Sequence, residues 1–181
     1  MRANPKVARY LPALVVLHWL IAVLIVGNLA VGMLVLDGMD NADAGKAAVL
    51  RWHMLGGIAI LVLMLARITV RLAKPRPAPA HAAGPLRWIT ALSHGLLYVL
   101  VLAMVMTGLG TAQLAGILPL LGGEAVRLPT DWSGIAPYAG HALFSGVLLA
   151  VLALHVVGWM YHLVRRDGLA GRMWFSGGGP D

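Results

Sequence analysis

The sequence predicts an all-α membrane protein, a four-transmembrane-helix bundle with both termini in the cytoplasm. Three observations predict it: four long apolar segments, charges confined to their flanks, and an uneven split of basic residues between the two sets of connections. Of 181 residues, 60% are hydrophobic and only 12% charged, and mean hydropathy is +0.82, well away from soluble globular chains.

Three of the segments are defined by the absence of charge. None occurs from Tyr10 to Leu36, from Trp88 to Leu121 or from Ser133 to Val164, and a spanning helix needs only ~20 apolar residues. The remaining segment, about Ala47 to Leu72, has a shorter uncharged centre from Trp52 to Ala66. Arg51 flanks it at one end and Arg67 and Arg71 at the other, where long side chains snorkel to the interface. The expected helices cover about 10–36, 47–72, 88–115 and 138–164, in a single domain over 1–181. The first run exceeds the ~7–15-residue apolar core of a signal peptide, so it is expected to be retained.

Orientation follows from the basic residues. Arg2, Lys6, Arg9, Arg67, Arg71, Lys74, Arg76, Arg87, Arg165, Arg166 and Arg172 fall on one side, leaving Lys46, Arg51 and Arg127 on the other among five acids. The positive-inside rule places the termini in the cytoplasm. The net charge of +7 thus reports topology, and with no separate basic domain it argues against nucleic acid as a partner. Lys74 to Pro85, rich in proline and alanine, reads as a semi-rigid cytoplasmic link in which His81 has no assigned role. Gly122 to Gly140 forms the longest outer loop, expected to cap that end, with Trp132 at the interface.

Six of the seven histidines lie in or at the ends of the apolar segments, where an imidazole without a partner is costly. At ~1.5 Å per residue, His18 lies ~12 Å from the inner start of the first helix and His155 ~13 Å from the inner end of the fourth, so they are level. His53 and His141 are level near the outer face, ~8 and ~6 Å in. His141 and His155 are almost four turns apart, on one face of one helix and ~21 Å apart along it. That pattern suggests two haems stacked across the membrane, each bound by two imidazoles, an arrangement suited to electron transfer because no iron position stays open. With no cysteine there is no thiolate cluster and no covalent haem attachment, so the haem expected is b-type. Gly57 and Gly158 fall on the sides of His53 and His155 and are expected to leave room for a flat ring.

The chain resembles the prokaryotic cytochrome b561 family over most of its length. The resemblance rests on LHWLIAVLIVG from Leu17, HMLGGIAILVLMLARITVRL from His53 with KPRPAP after it, LSHGLLYVLVLAM from Leu92, and the closing run from His141 through HVVGWMYHLVRRDGLAGRM. It implies a four-helix bundle in the bacterial inner membrane with two b haems, His18 and His155 binding the inner iron and His53 and His141 the outer. Many members have Lys after the helix-two histidine and Glu after the first helix-four histidine. Met54 and Ala142 stand there in this chain, changes that remove no ligand.

Other residues have less specific roles. His94 is near the inner level, where geometry alone lets it pair with His18 or His155; the family pattern points instead to a propionate or quinone contact. His162, two turns beyond His155 on the same face, is a candidate proton donor to quinone, a role the resemblance supports. Arg67 and Arg71 are placed either to neutralise propionates or to anchor the inner interface. Trp52 and Trp132 fit an outer aromatic belt and Trp88, Trp159 and Trp174 an inner one, with Trp19 beside the inner haem. The functional expectation is an electron carrier between an outer-side donor and the quinone pool, most specifically, on the resemblance, a superoxide:ubiquinone oxidoreductase. Two alternatives remain: the haem b subunit of a hydrogenase or dehydrogenase complex with a protein donor, and a non-redox membrane adaptor or transporter.

Overall fold

The computed structural model describes residues 10–74 and 85–174. Arg2, Lys6, Arg9, Arg76 and His81, and the side chain of Arg87, lie outside the described residues, as does most of the expected Lys74 to Pro85 link.

Four helices, α1 (Pro12–Ala30), α2 (Lys46–Ala73), α3 (Pro85–Leu114) and α4 (Ala136–Arg165), are each long and apolar enough to cross a membrane, and no strand occurs among the described residues. Proline opens three of them: Pro12, Pro85 and Pro137 lie in first turns, where the missing N–H has no intrahelical acceptor to lose. One departure from the expected helices is in α1, which continues past Ala30 as a π-helical turn over Val31–Leu36, with the Asp37 N–H bonded to the Gly32 carbonyl at 3.2 Å. The widened turn inserts a residue without ending the span.

Packing is strongest between α1 and α2 and between α3 and α4, with α2 meeting α3 less extensively. Ile21 and Leu29 of α1, Ile60 and Met64 of α2, Leu100 and Val101 of α3 and Leu148 of α4 form the buried centre. Outside it the helices present large apolar side chains, among them Val23, Val62, Leu92, Leu154 and Val164. Such a surface is a liability in water and the natural one in lipid, where the helices satisfy their own backbone polar groups.

The 37–45 and 115–135 connections meet at the end that the charge pattern assigns to the outside, where Asn41 donates to the Thr130 carbonyl at 3.1 Å. A 3-10 turn over Leu118–Gly122 brings Leu120 together with Ala112, Ile117 and Leu128, and this small core packs on Ala47, Leu50 and Met54 of α2. The long connection therefore does cap the bundle. Arg51 does not simply snorkel: its guanidinium lies beneath Gly123 and points to the Leu121 carbonyl at 3.5 Å, long for a hydrogen bond. Lys46 is likewise engaged, donating to the Met39 carbonyl and to Asn41 Oδ1, each at 2.8 Å.

At the other end a 3-10 turn over Ala170–Met173 folds back under α1 and α4. Trp19 Nε1–H donates to the Met173 carbonyl at 2.7 Å and Trp159 Nε1–H to the Ala170 carbonyl at 3.4 Å, while Trp19 meets Trp174 edge to face. These tryptophans tie the segment to the bundle, a more specific use than an interfacial belt.

Candidate functional site

The histidines assemble at two levels. At the inner level the rings of His18 on α1 and His155 on α4 have centroids 6.3 Å apart; at the outer level His53 on α2 and His141 on α4 are 6.1 Å apart. Metal–imidazole bonds are ~2 Å long and the ring centre is about 1 Å farther out, so two imidazoles on opposite sides of one metal have centroids about 6 Å apart. Both pairs bridge helices that do not pack closely: α4 lies against α3, and its approach to α1 and α2 is much slighter.

His141 has a defined tautomer. Its Nδ1 lies 3.0 Å from the Met104 carbonyl oxygen, which can only accept, so Nδ1 carries the proton and Nε2 keeps its lone pair. A second acceptor, Thr107 Oγ1, is 3.2 Å from the same Nδ1. Metal-bound histidines ordinarily donate their other N–H in this way. By contrast, His53 Nδ1 is buried and has no hydrogen-bond partner among the described residues.

Two glycines make room for these rings. A Cβ at Gly32, on the π turn, would lie 3.3 Å from His53 Cε1, and one at Gly108 of α3 would lie 3.1 Å from His141 Cε1. They differ from the glycines that helical spacing picks out: Gly158 has nothing within 4 Å of its Cβ position, and Gly57 meets only Asn28 Nδ2, at 3.8 Å. Asn28 is a further residue that the sequence did not single out. Its Nδ2 donates to the carbonyl of His53 at 3.1 Å, and its amide fills the space left by Gly56, holding α1 to α2 beside the outer pair.

A cavity of about 1230 Å³ runs from the outer connections down to His53 and His141. Gly32, Gly57, Gly108 and Gly146 are on its wall, and Asp37, Asp40, Asp43, Lys46 and Arg127 are near its mouth. It exceeds the ~300–1,000 Å³ of ordinary small-molecule sites.

His94 approaches the inner pair. Its ring centroid is 5.2 Å from that of His155, and its Nδ1–H donates to the Thr90 carbonyl one turn back at 2.7 Å. Arg67 donates to the Leu14 carbonyl at 2.7 Å and to the Tyr98 hydroxyl at 3.1 Å, and Arg71 stands over the Tyr98 ring, 5.3 Å from its centre. Tyr98 therefore gathers both arginines at the inner end of the bundle, a role invisible from its own helix. His162 lies apart from the pairs, its Nδ1 2.7 Å from Asp167 Oδ2 just beyond the end of α4. The left-handed Arg166, at φ 51°, turns the chain so that Asp167 faces back toward the helix.

A family model described as prokaryotic cytochrome b561 matches residues 9–176, nearly the whole chain. No curated protein and no solved structure matches it.

Proposed function

Because the chain belongs to the prokaryotic cytochrome b561 family, membrane proteins that hold b-type haem and transfer electrons, we propose that it is a dihaem electron carrier linking the two faces of the bacterial inner membrane. The observation that carries the proposal is the repeated ~6 Å spacing of facing imidazoles, His18 with His155 and His53 with His141, on both levels of one bundle. His94 stands closer to His155, at 5.2 Å, which suits a ring contact better than opposite faces of one iron.

The residues fit the group. His141 offers an unprotonated Nε2, the buried Nδ1 of His53 has no hydrogen-bond partner among the described residues, and Gly32 and Gly108 leave out the side chains that would displace these rings. Bound there, haem would supply one-electron transfer, held at each level by one histidine pair. The chain's own residues do the rest. His18 with His155 and His53 with His141 would hold the two groups, Arg67 and Arg71 would meet propionates or a quinone head group, and α1 to α4 would keep both levels in an apolar surround.

The finer reading is a superoxide:ubiquinone oxidoreductase with cytoplasmic termini. The sequence resemblance supports superoxide as donor, and the position of His162 near the inner end supports proton delivery to quinone from its ring. A protein donor in a larger redox complex is the competing identity for the same wire.

Haem quantification with reduced-minus-oxidised spectra on wild type, His53→Ala and His18→Ala tests the wire. Two b haems per chain, with one lost in each variant, is the expected result; one haem or none in the wild type would overturn it. With both haems intact, His162→Gln is expected to slow quinone reduction, and an unchanged rate would remove His162 from the reaction.

A further inference from the structure

The outer histidines differ in what stands behind them. His141 has two acceptors for its Nδ1 proton, the Met104 carbonyl at 3.0 Å and Thr107 Oγ1 at 3.2 Å, whereas His53 has none among the described residues. The Thr107 hydroxyl is free to accept because its own proton has a better destination. Its Oγ1 is 2.7 Å from the Ala103 carbonyl and 3.1 Å from that of Met104, a threonine on a helix bonding back to the preceding turn. The lone pair of that oxygen is left facing the imidazole. The Thr107 methyl packs where a Cβ on Gly140 would come to 3.4 Å.

We propose that Thr107 is a positioning residue that tunes the outer haem, its hydroxyl oxygen sharing the Nδ1 proton of His141 with the Met104 carbonyl. The inference rests on the reading of His141 as an axial ligand. A proton drawn from Nδ1 toward an acceptor makes the imidazole a stronger donor through Nε2. Stronger donation favours ferric over ferrous iron, so the contact lowers the outer midpoint potential. The Nδ1 proton would stay on the ring throughout, and the hydroxyl would bias how an electron is shared between the two levels.

The experiment is a spectroelectrochemical measurement of both midpoint potentials in the purified haem-loaded protein, on wild type, Thr107→Val, Thr107→Ser and Thr111→Val. Valine keeps the shape and the methyl but removes the acceptor, serine restores it, and Thr111→Val removes a similar back-bonded hydroxyl that does not touch a histidine. An upward shift of one potential in Thr107→Val, reversed in Thr107→Ser and absent in Thr111→Val, supports the proposal. Two retained haems with unmoved potentials in Thr107→Val would overturn it, as would a downward shift or the same shift in Thr111→Val. A His141→Ala variant that keeps both haems would instead overturn the ligand reading beneath it, so the two failures are distinguishable.

Discussion

His162 and Asp167 form a direct pair across the end of α4, Nδ1 to Oδ2 at 2.7 Å, with the two side chains 21% and 33% exposed. Desolvation pushes the Asp167 carboxyl up, but hydrogen bonds from His162 and from the Leu169 N–H, with the charges of His162 and Arg165, outweigh it and hold the group below the ordinary carboxylate range. A lowered folded-state value means that the stabilisation is fully present above the unfolded value of ~4 and is lost as pH falls through the lower folded one. Asp167→Asn is therefore expected to cost about 0.5 kcal/mol near neutral pH, the scale of a partly exposed pair, and nothing at strongly acid pH. Thermal unfolding in detergent across that range checks it; a difference that persists undiminished in acid would assign the effect to something other than the carboxylate.

Gly108 offers a sharper test of the outer site. A methyl there would meet His141 Cε1 at 3.1 Å, and the ring has little freedom to retreat because its Nδ1–H is held by Met104. Overpacking of this kind costs ~1–3 kcal/mol, and on the proposed dihaem reading the expected consequence of Gly108→Ala is weaker retention of one haem with the other intact. Gly95 lies on the same helix with nothing within 4 Å of its Cβ position. Gly95→Ala is accordingly expected to leave both haems in place and to gain stability by up to ~1 kcal/mol from helix propensity. Haem-to-protein ratios for the two variants decide between a local clash and a general intolerance of alanine in α3.

These contrasts also explain how far the sequence could be read. The four spans follow from composition, because lipid demands long apolar helices whatever their partners, and observed ends such as Lys46–Ala73 fall close to the expected 47–72. The levels of the histidines follow too, since rise per residue is fixed once a helix is placed. What a single helix does not encode is its rotation against its neighbours. Gly57 and Gly158 share a face with their own histidines, yet the glycines that meet histidine rings, Gly32 and Gly108, come from other helices. Asn28, Tyr98 and Thr107 escaped notice for the same reason, each meeting a partner on another helix. The π turn at Val31–Leu36 had no signal, because an inserted residue in an all-apolar run leaves the pattern unchanged. Asp167 reads as a loop acid until the turn at Arg166 brings it to His162.

The outer cap separates two costs that glycine substitutions usually mix. Gly116 and Gly123 both have positive φ, 68° and 88°, where an L side chain is strained by ~1–2 kcal/mol. Around Gly116 a Cβ would meet nothing within 4 Å, whereas at Gly123 it would lie 3.3 Å from Arg51 Nη1 and 3.4 Å from its Cζ. The Arg51 head is confined between α2 and the cap, with Nε buried and lacking a hydrogen-bond partner among the described residues, so moving it disturbs the packing that covers the outer cavity. Gly116→Ala is expected to lower stability by the backbone term alone, about 1–2 kcal/mol. Gly123→Ala should cost more than that, and an additional Arg51→Met change should recover the excess by removing the guanidinium, leaving the two glycine sites equal. Denaturation midpoints of the three variants in one detergent measure this directly. Equal costs at Gly116 and Gly123 with Arg51 present would show that the guanidinium is free to move aside and is not part of the seal.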